Sequence, residues 1–193
     1  MSKRISDKEA YIFDFDGVLV DTMEAHFYCY SEALKEAGIP IDKKQFYYQA
    51  GMSGREQISY FAGKANKKVG PDVIYKRKKE LYSRHINKIT LIEINYNLIC
   101  MLHKSGVRTA IASGSSRSSM IPLIEKFKIP CDVIVSAEDV STGKPDPQLF
   151  LVAAKKMKVA AGKCVVVEDS DVGIEAALRA NMNVFRFYKE CGL

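Results

Sequence analysis

Residues 11–22 read YIFDFDGVLVDT, and this stretch decides the fold class. The apolar run at its start is short and continuous, which is typical of a strand buried on both faces of a parallel sheet. Two carboxylates, Asp14 and Asp16, follow at the point where the strand ends. Because open α/β sheets bind ligands beyond the carboxyl ends of their strands, the stretch also indicates where a site would lie.

Four more β-rich runs follow and alternate with helical patterns; they are residues 107–112, 133–136, 164–167 and 184–188. This alternation predicts right-handed βαβ units and an α/β fold with a Rossmann-like, doubly wound parallel sheet. Residues 22–90 interrupt this alternation of strands and helices, since they contain only helix-like segments separated by glycines. We therefore predict a core formed by residues 1–21 and 91–193, with an inserted α-helical cap at residues 22–90.

Composition and charge exclude several classes of protein. The chain has 193 residues, of which 47% are hydrophobic and 27% charged, so a disordered or fibrous protein is excluded. No run approaches the roughly 18 apolar residues of a membrane span. The five cysteines are widely spaced without a CxxC pair, which favours reduced thiols and a cytoplasmic location.

The basic excess is concentrated in one segment. Lys plus Arg minus Asp plus Glu is 29 − 23 = +6 for the chain. Residues 60–90 hold nine Lys and Arg against two acids, which is 9 − 2 = +7, so the other residues sum to −1. Any anion attracted by this charge would meet the cap.

Asp14 and Asp16 are spaced i and i+2 after the strand, so both carboxylates point toward the same crevice. Two such anions repel each other and raise a pKa unless a cation lies between them. Mg²⁺ is the natural cation, because it prefers oxygen ligands and keeps room for a substrate phosphate. The alternative is an ordinary turn, for which Asp and Gly are also favoured.

Three other strand ends carry residues of the same chemistry. Glu168 and Asp169 precede a helix, and burying such an acidic pair is costly without a metal. Ser113 and Gly114 open a helix, where hydroxyl and N–H groups form a phosphate cradle. Lys144 stands in a proline-rich turn, placed to balance the acids. Taken singly, each could be an ordinary helix start or a solvated lysine.

This ordered set of four strand ends resembles the motifs of the haloacid dehalogenase superfamily of phosphatases and phosphotransferases. The insert looks like that superfamily's small helical cap, and the sequence is similar to the β-phosphoglucomutase and sugar-phosphatase branch. The resemblance implies that Asp14 is a nucleophile that forms an aspartyl-phosphate. It implies that Asp16 protonates the leaving oxygen and then activates water. Ser113 and Gly114 would hold phosphoryl oxygens, and Lys144 would neutralise their charge.

The resemblance also implies a magnesium site. Its ligands would be Asp14, the backbone carbonyl of Asp16, Asp169, and Glu168 directly or through water. The namesake dehalogenases lack the second acid and the metal, so dehalogenation is not expected.

Four cap residues are candidates for substrate binding. Thr22 and His26 match a stretch that lines the substrate cleft, and Arg55 matches a loop arginine that grips a distal phosphate or polar group. Within the basic run 76–79, Lys78 alone is expected to face the cleft. His26 could equally be a half-buried helix histidine, and the lysines a solvated helix face.

We therefore predict a Mg²⁺-dependent phosphatase that acts on a small phosphorylated metabolite, with a sugar phosphate as the leading candidate. One alternative is a β-phosphoglucomutase-like phosphotransferase. That branch has a lysine before the glycine that is here Gly51, whereas this chain has Ala50 there and an extra Gly54. The other alternative is a non-catalytic protein that binds phosphate or nucleic acid, although nucleic acid is not expected. No membrane partner is expected, and caps of this size are compatible with the monomer that we expect.

Overall fold

The computed structural model describes residues 9–49 and 52–188. Within them, five parallel strands form one sheet in the order β5–β4–β1–β6–β7. The strands are β1 Ala10–Phe13, β4 Arg108–Ala112, β5 Val133–Val135, β6 Cys164–Glu168 and β7 Asn183–Arg186. Each of the five β-rich runs forms one of these strands, so the predicted doubly wound parallel sheet is confirmed.

Helices cover both faces of this sheet. Alternate residues of each strand point to opposite sides, so each face has a buried cluster of its own. Ala10 and Ile12 of β1 join a buried cluster on one face, together with side chains of α7 and α8. Phe13 joins the cluster on the other face, together with side chains of α5 and α6. These helices are α5 Glu93–Lys104, α6 Arg117–Phe127, α7 Gln148–Met157 and α8 Asp171–Arg179.

The sequence pattern predicts two helix details that the structure corrects. Asp146 and Pro147 are expected to cap and open a helix, but α7 begins at Gln148, with Pro147 in the N-cap position. Asp146 still contributes, since its carboxylate accepts a hydrogen bond from the Gln148 backbone N–H at 2.9 Å. Leu178 is expected to face the core, yet it is 62% exposed, because the small Ala177 beside it packs against the sheet.

The insert contains four helices around its own apolar cluster: α1 Met23–Glu36, α2 Lys43–Tyr48, α3 Gly54–Lys64 and α4 Pro71–His85. Its two ends are joined by a short antiparallel ribbon, β2 Val20–Asp21 with β3 Thr90–Leu91, which the sequence did not indicate. We call this helical unit the cap and the α/β unit the core. The limits 22–90 for the cap stay a prediction.

Two features bear on the class of protein. Across residues 9–49 and 52–188, none of the helices has both the length and the apolar character that a membrane span requires. Among the described residues, Cys29, Cys100, Cys131 and Cys164 form no disulfide bond. Cys191 lies outside the described residues.

Candidate active site

Three segments of the core bring Asp14, Lys144 and Glu168 into one buried ion-pair cluster. Asp14 follows β1 and Glu168 ends the neighbouring β6. The Lys144 Nζ donates to Asp14 Oδ1 at 2.8 Å and to Glu168 Oε2 at 2.7 Å. Burial alone would lower the pKa of Lys144, but the two carboxylates outweigh it and raise that pKa. The ammonium therefore stays charged across the neutral range.

Asp169 lies next to this cluster, with its carboxylate packed against the backbone turn at Gly17. A Cβ on Gly17 would lie 2.4 Å from the Asp169 Oδ2, and the backbone there has φ +85°, which strains any other residue. Carboxylate oxygens of Asp14, Glu168 and Asp169 all lie within 4.8 Å of one another. Burial and the charge of Glu168 raise the pKa of Asp14 well above its ordinary value and that of Asp169 to about 7.

Glu168 has both carboxylate oxygens engaged. Its Oε1 accepts from the Ser170 backbone N–H at 3.1 Å and from the Ser170 hydroxyl at 2.5 Å, and its Oε2 accepts from Lys144. A Cβ on Gly173 would lie 2.2 Å from the Glu168 carboxyl carbon, so the glycine makes room for this carboxylate at the start of α8. Glu168 is therefore well placed to position Lys144.

Asp16 is surrounded by hydrogen-bond donors. Its Oδ1 accepts from the Thr22 hydroxyl at 2.6 Å and lies 3.0 Å from the His26 Nε2. Its Oδ2 accepts from the hydroxyls of Ser115 at 2.6 Å and Ser113 at 3.1 Å. Although burial raises the pKa of Asp16, these partners outweigh burial and hold it well below its ordinary value. Asp16 therefore rests as a carboxylate.

A buried lysine determines which ring nitrogen of His26 carries the proton. The Lys78 Nζ lies 2.8 Å from His26 Nδ1, and because an ammonium only donates, Nδ1 is the acceptor. The ring proton is then on Nε2, which donates to Asp16. Burial and the charge of Lys78 lower the pKa of His26, consistent with a neutral ring. Burial also lowers the pKa of Lys78 to about 8, and its ammonium lies 4.8 Å and 4.6 Å from the ring centroids of Tyr30 and Tyr82.

These groups meet in a cavity of about 60 Å³ between the core and the cap. The core contributes the carboxylates of Asp14, Asp16 and Asp169 to its wall, together with Ser113 and Gly114. The cap contributes Lys78 and His26, which we call the relay to Asp16, together with an apolar and aromatic surface. The other lining residues of the cap include Tyr30, Phe46, Met52, Gln57 and Tyr75.

Four predicted site residues do not line the cavity. Thr22, Lys144 and Glu168 lie behind its wall and contact Asp16 or Asp14 directly or through Lys144, whereas Arg55 contacts none of the predicted site residues in its described hydrogen bonds. Its Nε donates to the Asp72 carboxylate at 2.6 Å, and its side chain is 62% exposed. Its guanidinium lies 5.1 Å from the ring centroid of Tyr75, a residue that lines the cavity. The ion pair with Asp72 is exposed to solvent and is therefore weak.

The family model described as haloacid dehalogenase-like hydrolase matches residues 11–187 of the chain. The chain belongs to this family. The match spans both the core and the cap, and it includes every strand end that lines the cavity.

Similar proteins include sugar-phosphate enzymes. The chain is 31% identical to a β-phosphoglucomutase of Bacillus subtilis, with 90% of this chain and 80% of that protein covered. It is 27% identical to a phosphorylated carbohydrates phosphatase of Thermotoga maritima, with 90% and 82% covered. Among solved structures, a hydrolase from Pseudomonas syringae has a TM-score of 0.85 at 26% identity, with 92% and 83% covered. A β-phosphoglucomutase from Clostridium difficile has a TM-score of 0.82 at 28% identity and the same coverage.

The donor set of this haloacid dehalogenase-like hydrolase fits a magnesium ion. Asp14 and Asp169 offer carboxylate oxygens, which are the hard ligands that Mg²⁺ prefers. Burial and the neighbouring Glu168 raise the pKa values of both groups, and a divalent cation would favour their charged forms. Glu168 is close but has both oxygens engaged, so it is better suited to act through water.

Some residues of the site were missed by the motifs. Ser115 follows Ser113 by two residues in the same serine-rich run, and this spacing is the signal that could have identified it. The cap aromatics Tyr30 and Tyr75 carry no such signal, since tyrosines at helical spacing are usually core residues. Ala50 and Gly51, which bear on the mutase alternative, lie outside the described residues.

Proposed function

We propose that this chain is a Mg²⁺-dependent phosphatase that hydrolyses a small phosphorylated metabolite of the sugar-phosphate class. The observation that carries the proposal is that Asp14 and Asp16 line one cavity in two opposite electrostatic settings. Asp14 lies against Lys144 among other acids, whereas Asp16 accepts hydrogen bonds from hydroxyls and an imidazole. Two carboxylates in such different settings are suited to two different roles.

In the first step, an oxygen of Asp14 attacks the phosphorus and forms a P–O bond while the bond to the leaving oxygen breaks. Asp16 gives that oxygen a proton. Asp16 takes up this proton when the substrate arrives, since the negative phosphate raises its pKa. Lys144 neutralises charge on the phosphoryl oxygens, and Ser113 and Gly114 bind them.

In the second step, Asp16 removes a proton from the water that attacks the aspartyl-phosphate, and the carboxylate of Asp14 leaves. The relay from Lys78 through His26 holds Asp16 in place during both proton transfers. Asp14, Asp169 and the backbone carbonyl of Asp16 would hold Mg²⁺, with Glu168 acting through water. When bound, the ion supplies positive charge against the phosphoryl oxygens.

The proposal is tested by phosphate release from an aryl phosphate with and without Mg²⁺. We expect Asp14→Asn to abolish release, because the amide is not a nucleophile. We expect Asp16→Ala to stall turnover yet to keep Mg²⁺ affinity, because its metal contact is a backbone carbonyl. Asp171→Asn, on the exposed start of α8, is the matched control and should retain activity. Turnover by Asp14→Asn, or lost Mg²⁺ affinity in Asp16→Ala, would contradict these assignments.

A phosphotransferase of the β-phosphoglucomutase kind is the second candidate, and the 31% identity to the Bacillus subtilis enzyme favours it. Such a reaction needs a second anion holder in the cap. In the described part of the cap, Lys78 is buried and engaged with His26, which favours hydrolysis instead, whereas Arg55 is held only by an exposed ion pair with Asp72. With glucose 1-phosphate and Mg²⁺, glucose 6-phosphate appearing faster than free phosphate would overturn the phosphatase proposal.

A non-catalytic role that uses the basic segment has less support. Lys78 of that segment is buried, and Arg77 pairs with Glu36 at 2.8 Å, so part of the positive charge is not available to a polyanion. We further propose that the enzyme acts as a monomer, because every group of the proposed mechanism comes from one chain, and that it acts in the cytoplasm, where cysteines without disulfides stay reduced. Size-exclusion chromatography with light scattering tests the first of these two points.

A further inference from the structure

Tyr82 of α4 is a buried residue that the proposed mechanism does not use. Its side chain is 3% exposed, and among the residues that the structure describes its hydroxyl has no hydrogen-bond partner. A buried hydroxyl without a partner destabilises the folded state. Any contribution of this residue to the protein therefore comes from the contacts of its ring.

The ring of Tyr82 contacts both members of the relay. It is stacked on the imidazole of His26, with the ring centroids 4.5 Å apart and an angle of 11° between the ring planes. The Lys78 ammonium lies 4.6 Å from the centroid of the same tyrosine ring. One aromatic surface therefore supports both groups, whose nitrogen atoms lie 2.8 Å apart.

This stacking restrains a motion that the hydrogen bonds of His26 leave open. The contacts of Nδ1 with Lys78 and of Nε2 with Asp16 hold the imidazole at its two nitrogen atoms. The ring could still tilt about the line that joins those atoms, and this tilt would turn the Nε2–H bond away from Asp16. A nearly parallel ring on one face opposes the tilt, and hydrogen bonds weaken as they depart from a straight line.

The ring of Tyr82 is itself held by the core. It belongs to the buried apolar cluster that contains residues 18–20, which follow Asp16 closely in the chain. Phe61 of α3 is equally buried at 3% exposure, but it belongs to the separate apolar cluster of the cap. The surface that supports the relay is therefore continuous with the segment that carries Asp16.

We propose that Tyr82 is a positioning residue, whose ring holds His26 and Lys78 in the arrangement that directs the Nε2–H of His26 toward Asp16. This inference rests on the phosphatase activity proposed above, in which Asp16 carries out both proton transfers. Tyr82 is not among the described residues that line the cavity. It therefore acts on the reaction through the relay and not by contact with the substrate.

The kinetic test replaces the ring with a flexible apolar side chain. With the aryl phosphate and Mg²⁺, Tyr82→Met should lower kcat by about tenfold or more, because a slightly misplaced catalytic group is much less effective. KM should stay within about threefold, because the residue does not touch the substrate. Tyr82→Phe keeps the ring and should retain at least about half of the wild-type kcat, because the hydroxyl that it removes makes no hydrogen bond.

Two further variants separate positioning from general loosening of the cap. Phe61→Met removes an equally buried ring that does not contact the relay, and its kcat should stay within about twofold of wild type. In a His26→Ala background, Tyr82→Met should cost less than about twofold in kcat, because the group that it positions is gone. A kcat loss in Tyr82→Phe or in Phe61→Met as large as that in Tyr82→Met overturns the inference, and so does a full additional loss in the His26→Ala background.

A measurement without substrate or metal distinguishes this inference from the phosphatase proposal. The chain has three histidines, so nuclear magnetic resonance of histidine-labelled protein identifies His26 by the signal that is lost in His26→Ala. Its Nε2–H should exchange slowly with water in wild type and in Tyr82→Phe, and about tenfold faster or more in Tyr82→Met, or in Tyr82→Leu if Tyr82→Met does not fold. Rapid exchange in the wild type, or unchanged exchange in the folded variant, overturns the inference. The expected exchange in a protein that releases no phosphate contradicts the phosphatase proposal alone.

Discussion

Replacing Lys78 with methionine should produce an enzyme that is slow but close to wild type in stability at neutral pH. The substitution keeps a long side chain in helix α4 and removes an ammonium that is 3% exposed. Burial lowers the pKa of Lys78 from 10.5 to about 8. A shift of this size corresponds to a penalty of about 3 kcal/mol on the folded state while the lysine is charged.

The sign of the pH dependence follows from proton counts. Between pH 8 and 10.5 the unfolded chain holds a proton on Lys78 that the folded chain has lost, so the stability of the wild type rises with pH in that window. Below pH 8 both states are protonated, and the folded state carries the full penalty. The variant has no such penalty. The unfolding free energy of the wild type, relative to that of Lys78→Met, should therefore rise by about 3 kcal/mol between pH 7 and pH 10.5.

At pH 7 the variant is relieved of that penalty but loses other interactions. The hydrogen bond to His26 contributes about 1 kcal/mol, and the contacts with the rings of Tyr30 and Tyr82 about 1–2 kcal/mol together. The two sides nearly cancel, so the variant should lie within about 1 kcal/mol of wild type. Its kcat should nevertheless fall by roughly 10–100-fold, because His26 no longer has a donor that fixes its proton toward Asp16.

Urea unfolding followed by circular dichroism at pH 7, 8, 9 and 10 measures the stability difference without metal. Titrating groups that do not interact with Lys78 are common to both proteins and cancel. The pKa values of His26 and Cys29 differ between the two proteins, because the charge of Lys78 lowers both, so the change with pH also includes their contribution. Lys76→Met on the exposed face of the same helix is the matched control, and its difference from wild type at each pH is the baseline for Lys78→Met. A difference for Lys78→Met that stays constant within about 0.5 kcal/mol from pH 7 to 10 would refute the reasoning.

Three further substitutions test the core site. Gly17→Ala should abolish Mg²⁺ binding, measured by calorimetry, because the new Cβ would lie 2.4 Å from Asp169 Oδ2; retained affinity would contradict this role. Lys144→Met should lower the unfolding free energy at pH 7 by about 3–5 kcal/mol, measured in urea, since it leaves two buried carboxylates without their ammonium. Ser115→Ala should move the acid limb of the kcat profile up by about 1–2 pH units, because Asp16 loses a charge-assisted hydrogen bond. An acid limb that does not move would show that Ser115 has no part in tuning Asp16.

The core part of the site could be predicted from the sequence, because the pairing of neighbouring strands determines which strand-end residues lie side by side. Phe13 pairs with Val167 in the neighbouring strand, so Asp14 and Glu168 must leave the sheet side by side. This holds for any parallel sheet in which these runs are adjacent strands, whatever the side chains pack against. The motifs, together with the family resemblance that they carry, were therefore enough to predict which core residues meet.

The cap could be predicted only in outline, because side-chain direction on a short helix depends on partners elsewhere. Arg55 pairs with Asp72 in the first turn of the next helix, and nothing in the loop around Arg55 reveals that partner. Lys78 turns inward to His26, 52 residues earlier, while Lys76 on the same helix is exposed. The identity of the buried lysine becomes clear only when helices α1 and α4 pack against each other.

Glycines offer a sequence signal that side-chain motifs alone do not. Gly17 and Gly173 each leave space for a carboxylate, of Asp169 and of Glu168, and Gly54 leaves space for two tyrosines of the cap wall. In each case an added Cβ would lie 2.4 Å or less from an atom of the site. At such positions the glycine is needed because another side chain lies where a Cβ would be, and not because the chain must be flexible there. A glycine within a few residues of a strand-end carboxylate therefore indicates where two segments of an active site meet, even when those segments lie far apart in the chain.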